Sequence, residues 1–320
     1  MSDFVDKIRE GNRRAIAKAI TLMESSRDDH QNEARELLTE LLPFTGNAIR
    51  IGLTGVPGVG KSTFIEGFGK MLTGRGLKVA VLAVDPSSQI SGGSILGDKT
   101  RMEELARDDM AFIRPTPSKG TLGGTARYTR EAMMILEAAG FEVIIVETVG
   151  VGQSEVAVAD LVDMFLLLLS PGGGDELQGI KRGIMELADL IIVNKADGDF
   201  KDAARLAASD CRNALHFMKA RCPDWTVDVL EISALKKIGL EQVWDKVNEF
   251  KNTMIKNGEF NNRREKQDIA AIWNELKELL ASRLKRENVD ITDELELAVI
   301  DKKITPAQAA RELLDKMLTS

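Results

Sequence analysis

The amino-acid sequence predicts an α/β protein with a mainly parallel central sheet flanked by helices, an N-terminal helical extension and a C-terminal helical arm. Seven short, continuously apolar runs lie between residues 48 and 233, and helix-length segments separate them. Such runs are typical of strands that are covered on both faces, as in parallel sheets. The regions on either side lack strand-like runs and have apolar residues at helical spacing instead.

Helices are predicted before the first strand. Ile16, Ile20 and Met23 share one helical face, and a second apolar stripe over residues 34–42 ends at Pro43, which cannot continue a helix. The apolar runs then predict strands at residues 48–54, 78–85, 110–115, 141–148, 163–170, 190–197 and 226–233.

Helical spacing returns beyond Asn262, where apolar residues recur every three or four positions up to Leu284 and indicate one long amphipathic helix. Two shorter helices are expected to follow, with Thr292 and Thr305 as N-caps and Pro306 at a first helical position. The predicted division is an extension over residues 1–47, an α/β domain over 48–257 and an arm over 258–320.

Composition excludes several classes of protein. With 43 basic and 50 acidic residues the net charge is −7, which argues against a nucleic-acid partner. The longest apolar run, residues 164–169, is too short to cross a membrane, and residues 1–10 lack the pattern of a secretory signal. We therefore expect a cytoplasmic protein. The two cysteines and two histidines form no disulfide framework or spaced metal-ligand set, so buried, inactive thiols are the favoured interpretation.

The first predicted strand leads directly into a phosphate-binding loop. Its GxxxxGK[ST] pattern places backbone N–H groups and the start of a helix around an anion. Lys61 is expected to meet the β- and γ-phosphates as a catalytic cation, and Ser62 is expected to bind magnesium. The alternative is a fortuitous glycine-rich turn, which the position between a strand and a helix disfavours. The expected nucleotide contacts are Gly55, Val56, Pro57, Gly58, Val59, Gly60, Lys61, Ser62 and Thr63.

A second motif, Asn194-Lys195-Ala196-Asp197, selects the base. The Asp197 carboxylate can accept both adjacent donors of guanine, whereas adenine offers no such pair. Lys195 is expected to lie along the base, and Asn194 is expected to tie this loop to the phosphate-binding loop. An acidic turn is the alternative. Ser233, Ala234 and Leu235 follow a later strand, where a second guanine-contacting loop is expected, although this tripeptide alone is a weak signal.

Acids at strand ends predict a magnesium site. Glu147 and Gly150 form an ExxG motif, in which the acid holds the magnesium shell or orients a water and the glycine N–H meets the γ-phosphate. Asp85 ends another strand and Asp98 lies in a glycine-rich stretch, so both are candidate magnesium-shell residues. The alternative for both aspartates is a purely structural cap.

Six separate strings carry a family resemblance: GVPGVGKST, AVDPSS, GGSILGDKTRM, ETVGVGQSE, GDELQGIK and NKAD. They resemble the P-loop GTPases with a switch glutamate, and most closely the MeaB/ArgK, or MMAA-like, family. The specific strings extend from about residue 48 to residue 250, and the flanking helices resemble the family only in pattern. The central domain is thereby identified as a P-loop GTPase domain.

The resemblance implies a magnesium-dependent GTPase, slow without its partner, that serves adenosylcobalamin-dependent methylmalonyl-CoA mutase. Such a protein gates loading of the cofactor by an adenosyltransferase and protects or reactivates the mutase, while binding no cobalamin itself. It also implies a homodimer formed through the C-terminal helices. Residues 149–158 would be a second switch and residues 170–181 a third, in which Asp175 and Glu176 rearrange and Lys181 approaches the nucleotide as a catalytic residue.

Two other functions stay open at this point. One is nickel delivery by a metallochaperone GTPase, for which the chain has few ligands. The other is a kinase or ATPase linked to amino-acid transport, against which the NKAD motif argues.

Overall fold

The structure is a computed structural model. It describes residues 2–25, 27–85, 102–117, 122–148, 154–171, 182–218, 221–222, 224–287 and 289–319. The chain divides into two compact units, Met1–Gln267 and Asp268–Ser320.

The first unit is built on a parallel sheet, with seven strands in the described part of the chain. The strand order is β3-β2-β4-β1-β5-β6-β7, and every neighbouring pair is parallel. All seven predicted strands are present, so the predicted fold class is confirmed. The strands are β1 (Ile49–Gly55), β2 (Val79–Asp85), β3 (Ala111–Pro117), β4 (Val143–Thr148), β5 (Met164–Leu169), β6 (Leu190–Val193) and β7 (Asp228–Glu231).

Helices cover both faces of this sheet, which explains why its strands are apolar at successive positions. In β4, Val143 and Ile145 belong to one apolar core and Ile144 and Val146 to the core on the opposite face. The helices of the first unit are α1 (Ser2–Arg9), α2 (Arg13–Met23), α3 (Asp28–Leu41), α4 (Lys61–Gly74), α5 (Glu103–Ala106), α6 (Leu122–Ala138), α7 (Ser154–Ala159), α8 (Arg182–Leu187), α9 (Lys201–Leu215) and α10 (Leu240–Lys256), and α11 (Glu259–Glu287) begins in it.

The N-terminal helices pack into the same core as the sheet. Ile16, Ile20 and Leu37 have at most 1% of their surface exposed and lie in one cluster with Leu82 of β2 and Ile144 of β4. The apolar stripes seen in the sequence therefore face the sheet. A 3-10 turn (Leu42–Phe44) follows α3 at the predicted proline.

The start of α11 is fixed to the first unit by buried ion pairs. The guanidinium of Arg264 donates to both carboxylate oxygens of Asp163, at 2.8 and 2.7 Å, and to the Ala48 carbonyl at 2.7 Å. Arg263 donates to Asp189 at 3.1 and 3.3 Å. Both aspartates are about 1% exposed and directly precede a strand. We call these four charged residues the basal clamp, because they lie at the amino edge of the sheet.

The second unit is helical. After α11 it contains α12 (Val289–Ile300) and α13 (Pro306–Thr319), which pack against each other. Thr305 caps α13, since its Oγ1 accepts from the N–H of Gln308 at 3.2 Å while the Gln308 side chain accepts from the Thr305 N–H at 2.9 Å. The N-cap predicted at Thr292 is wrong, because α12 already begins at Val289 and a threonine is tolerated inside its first turn.

The cysteines are buried, as expected. Burial, assisted by the neighbouring Asp210 and opposed by Arg212, raises the pKa of the Cys211 thiol to about 11, so this thiol is protonated at neutral pH. Cys222 contacts the sulfur of Met254 at 3.7 Å. Among the described residues, none of the helices is both long and apolar enough to cross a membrane.

Candidate nucleotide-binding site

The phosphate-binding loop connects β1 to α4 and needs glycine at two places. A Cβ atom on Gly55 would lie 2.5 Å from the Leu168 carbonyl oxygen of β5, and one on Gly60 would lie 2.7 Å from Nδ2 of Asn194. Gly60 also has a φ of 97°, in the left-handed region. The loop therefore curls tightly against β5 and against the start of the NKAD motif.

Helix α4 begins at Lys61 and presents its first backbone N–H groups to this loop. These groups have no acceptor within the helix and form an anion site together with the positive end of the helix dipole. The Lys61 ammonium is largely buried and donates to the carbonyl oxygens of Gly55, at 2.6 Å, and Val56, at 3.4 Å. Ser62 is half-buried and Thr63 is exposed in the same turn. The loop thus brings a cation, a hydroxyl and several N–H groups to one place.

Asn194 connects three loops. Its side-chain Nδ2 donates to the Val59 carbonyl at 2.9 Å, and its Oδ1 accepts from the Ala234 N–H at 2.9 Å. The residue is only 2% exposed, so both bonds are shielded from water. The Ala196 N–H donates to the Ile232 carbonyl at 2.8 Å, which adds a backbone link. The tie to the phosphate-binding loop that was predicted for Asn194 is present, and the same side chain also holds the SAL segment.

Lys195 reaches across to the phosphate-binding loop. Its Nζ donates to the Gly58 carbonyl at 2.8 Å, and its φ of 60° lies in the left-handed region, which is uncommon for a lysine. Asp197 is half-buried and extended, and it precedes a short 3-10 turn. Ser233 is fully buried and accepts from the Lys236 N–H at 3.1 Å, whereas Leu235 is 73% exposed. Ser233 therefore shapes its loop, and Leu235 faces outward from it.

Two of the predicted magnesium acids, Glu147 and Asp85, lie at the ends of neighbouring strands. Glu147 is 8% exposed near the end of β4, which lies between β1 and β2. Asp85 is the last residue of β2, so it lies at the same carboxyl edge of the sheet as Glu147. Thr148 donates its hydroxyl to that of Thr54 at 2.8 Å and thereby links the end of β4 to the strand that carries the phosphate-binding loop.

These oxygen donors fit magnesium in chemical type. Within the described ranges there is no group of three or more histidine, cysteine, aspartate or glutamate residues that could hold a metal ion. Magnesium in phosphoryl-transfer sites is usually held by one or two carboxylates and by the phosphates themselves, so it needs no such group. Ser62 and Glu147 suit this role.

Several predicted residues lie outside the described residues. These are Asp98, Gly150 and Lys181, and with them Asp175, Glu176 and the parts of the two expected switches at 149–153 and 172–181. Only the backbone of Asp85 is described.

Residues 16–289 match the family described as methylmalonyl Co-A mutase-associated GTPase MeaB. The chain belongs to this family. The MeaB-family assignment agrees with the geometry, in which the glycine-rich loop and the NKAD motif are held together by Asn194.

Similar proteins agree with the MeaB-family assignment. The chain is 44% identical to the GTPase ArgK of Escherichia coli over 321 aligned residues. This alignment covers 100% of this chain and 97% of ArgK. It is 46% identical over 330 residues to the mitochondrial methylmalonic aciduria type A homolog of Mus musculus. This alignment covers 97% of this chain and 79% of the mouse protein. The crystal structure of a protein named LAO/AO transport system kinase matches with a TM-score of 0.77 at 38% identity, over 99% of this chain and 97% of that one.

This MeaB-family protein is therefore a GTPase with a P-loop fold, as predicted. Some contacts of its site were not predicted from the sequence, among them the Thr54–Thr148 bond and the Ala234 contact of Asn194. Neither gives a local signal, since the paired residues are 94 and 40 positions apart.

Proposed function

We propose that this chain is a GTP-dependent chaperone of an adenosylcobalamin-dependent methylmalonyl-CoA mutase. In this role it gates loading of the cofactor and protects or reactivates the mutase, and the cobalamin stays with the mutase. The observation that carries the proposal is the match of residues 16–289 to a family described as mutase-associated. The names of its relatives, which include a methylmalonic aciduria protein, support the same role.

The two ends of the site bind different parts of GTP, one the guanine base and the other the phosphates. Asp197 accepts the paired donors of guanine, and Lys195 and Leu235 lie against the base. At the other end, Lys61 exchanges its bonds to loop carbonyls for bonds to the β- and γ-phosphates. Because Asn194 bonds to both the phosphate-binding loop and the SAL segment, we infer that the two ends are held at a fixed separation.

Magnesium would be held by Ser62, Glu147, Asp85 and Asp98. Bound there, it neutralises charge that develops on the phosphate oxygens. Gly150 would meet the γ-phosphate and couple the second switch to the nucleotide. Lys181 would join the site as a catalytic residue when the mutase engages. We therefore expect slow hydrolysis by the chain alone, because in many GTPases a partner supplies or positions the final transition-state contact.

Homodimerisation through the C-terminal arm is part of the proposal. Apolar side chains of α11 in the second unit are 38–65% exposed, including Ile272 at 65% and Trp273 at 60%. Exposed apolar surface of this kind is typical of an interface. An adenosyltransferase contact and a cytoplasmic location remain predictions. Nickel delivery has no observation in its favour in the described part of the chain.

The test is to measure GTP turnover of the purified chain with and without a cognate mutase. We expect the mutase to raise turnover at least tenfold and to co-purify with the chain in a nucleotide-dependent way. A chain that hydrolyses GTP rapidly alone and is indifferent to the mutase would refute the proposed function. A Lys61→Ala variant with the same mutase controls for contaminating GTPases.

A further inference from the structure

Two threonines form a hydrogen bond in an apolar part of the sheet. Thr54 is the residue of β1 before Gly55, Thr148 is the last residue of β4, and both are at most 1% exposed. Ile144 and Val146 lie on the same face of β4 as Thr148 and belong to an apolar core. The Thr148 hydroxyl donates to the Thr54 hydroxyl at 2.8 Å. A directional bond therefore joins two central strands where the surroundings are hydrocarbon.

Packing alone does not call for hydroxyl groups at these two positions. Valine has almost the same shape as threonine, is equally favoured in strands and brings no polar group into the core. Replacing both partners of a buried hydrogen bond by apolar groups of the same shape is nearly neutral or stabilising, whereas replacing one partner leaves the other unsatisfied. The reason for this pair is therefore to be sought in its location.

The pair lies at the point where β1 and β4 separate. Neighbouring residues of the two strands pair from Ile49 and Val143 as far as Leu53 and Glu147. The threonines are the next residue on each strand, so their hydroxyl bond extends the connection between the strands by one position. Directly beyond it, β1 enters the phosphate-binding loop.

Each threonine adjoins a group of the candidate nucleotide site. Gly55 follows Thr54, and its carbonyl oxygen accepts from the Lys61 ammonium at 2.6 Å. Glu147 precedes Thr148 and is largely buried. Successive residues of a strand point to opposite faces, so Glu147 lies on the face that α4 covers and Thr148 on the other. The hydroxyl bond thus connects the chain on either side of the site.

We propose that Thr54 and Thr148 are positioning residues of the GTPase site, whose hydrogen bond sets the separation between the Glu147 carboxylate and the phosphate-binding loop. The ligands of magnesium must keep nearly ideal geometry, so a small displacement of Glu147 from Ser62 weakens metal binding. A hydrogen bond restricts distance and angle, whereas an apolar contact fills the same space without a preferred direction. The inference rests on the magnesium role proposed for Glu147 and not on the identity of the partner protein.

The test uses the full chain and the variants Thr54→Val, Thr148→Val and the double variant. Calorimetry measures the affinity for a non-hydrolysable GTP analogue at a series of magnesium concentrations, and the melting temperature is measured without nucleotide or metal. Each single variant should raise the magnesium concentration for half-maximal binding about tenfold, which is typical when a group that orients a metal ligand is removed. Each should also lower the melting temperature, because one hydroxyl is left unsatisfied.

The double variant separates positioning from packing. We expect it to regain the wild-type melting temperature, because two valines fill the space and leave no unsatisfied hydroxyl. Its magnesium requirement should stay as high as in the single variants, because the directional bond is still missing. If the pair were purely structural, the double variant would regain both properties.

Two controls complete the series. Thr148→Ser keeps the hydroxyl and should keep a magnesium requirement close to that of the wild type, although the lost methyl group lowers the melting temperature. Thr73→Val removes a hydroxyl that donates to Asp108 at 2.7 Å near the far end of α4. This variant should lower the melting temperature and leave the magnesium requirement unchanged.

An unchanged magnesium requirement in the single variants, or one that follows the melting temperature through the series, would overturn the proposal. If a single variant does not fold, the double variant and Thr148→Ser decide. Glu147→Gln distinguishes two kinds of failure. If it leaves the magnesium requirement unchanged, the role proposed for Glu147 is wrong; if it raises the requirement while the valine variants do not, only the role of the threonine pair is wrong. None of these measurements involves the mutase.

Discussion

Replacement of Asn194 by alanine tests how far one side chain holds the nucleotide site together. The change removes two buried hydrogen bonds, to the Val59 carbonyl and from the Ala234 N–H, each 2.9 Å long. Both backbone groups then lose their partner, at about 1–3 kcal/mol each. We expect Asn194→Ala to lower the free energy of unfolding by about 2–6 kcal/mol, measured by urea denaturation. GDP affinity, measured by calorimetry, should fall at least tenfold, because the phosphate and guanine loops are no longer held in register.

A matched variant assigns the effect to one bond. Asn194→Asp keeps an oxygen that accepts from the Ala234 N–H but places the other oxygen against the Val59 carbonyl, so it breaks only the link to the phosphate-binding loop. We expect this variant to lose affinity for GDP and to lose at least as much stability as Asn194→Ala, because it also buries a carboxylate against a carbonyl oxygen. Asn213→Ala, at an exposed position of α9, is the control. If Asn194→Ala kept the wild-type denaturation midpoint and GDP affinity, the two hydrogen bonds of Asn194 would contribute neither to stability nor to nucleotide binding, which would refute the role inferred for this side chain.

Three further predictions concern single side chains. Lys61→Ala should reduce hydrolysis at least a hundredfold in single-turnover assays with its circular dichroism spectrum intact, because it removes the cation that meets the transferred phosphate; near-wild-type turnover would contradict this. Asp197→Asn should weaken GDP binding at least tenfold in competition assays, since one acceptor becomes a donor, and unchanged affinity would refute the base contact. Burial alone would raise the pKa of Asp108, but hydrogen bonds from Lys70, Thr73 and the Met110 N–H lower it from 3.8 to about 2. The stabilisation from this carboxylate is therefore complete above pH 3.8 and is lost as the pH falls towards 2, so Asp108→Asn should cost about 1 kcal/mol at neutral pH and nothing near pH 2; a cost that does not depend on pH would contradict the assignment.

The strands of this protein are predictable because both faces of the sheet are covered, which leaves continuous apolar runs in the sequence. The meeting of the phosphate-binding loop with the NKAD motif is also predictable, since the carboxyl ends of parallel strands share one edge. The left-handed backbone of Lys195 has no such signal, because only the packed loop imposes it. Helix ends are equally hard to predict, as Thr292 illustrates, because the sequence near the start of α12 permits more than one cap.

Contacts between residues far apart in the chain were beyond prediction for a different reason. In the sequence, Arg263 and Arg264 look like ordinary charges on the solvent side of an amphipathic helix. The structure pairs them with buried aspartates 74 and 101 positions away. The strand order determines these pairs, and a local pattern carries no information about it.

The basal clamp sets a limit on how short a working fragment of this protein can be. A chain cut after residue 257 would retain every nucleotide motif, yet it would lack the two arginines that pair with Asp163 and Asp189 at the amino edge of the sheet. Removing one partner of a buried ion pair typically costs about 3–5 kcal/mol, a large part of the stability of an average domain. Such a fragment should be insoluble or sensitive to proteases, whereas one that extends through Gln267 should resist digestion and still bind GDP.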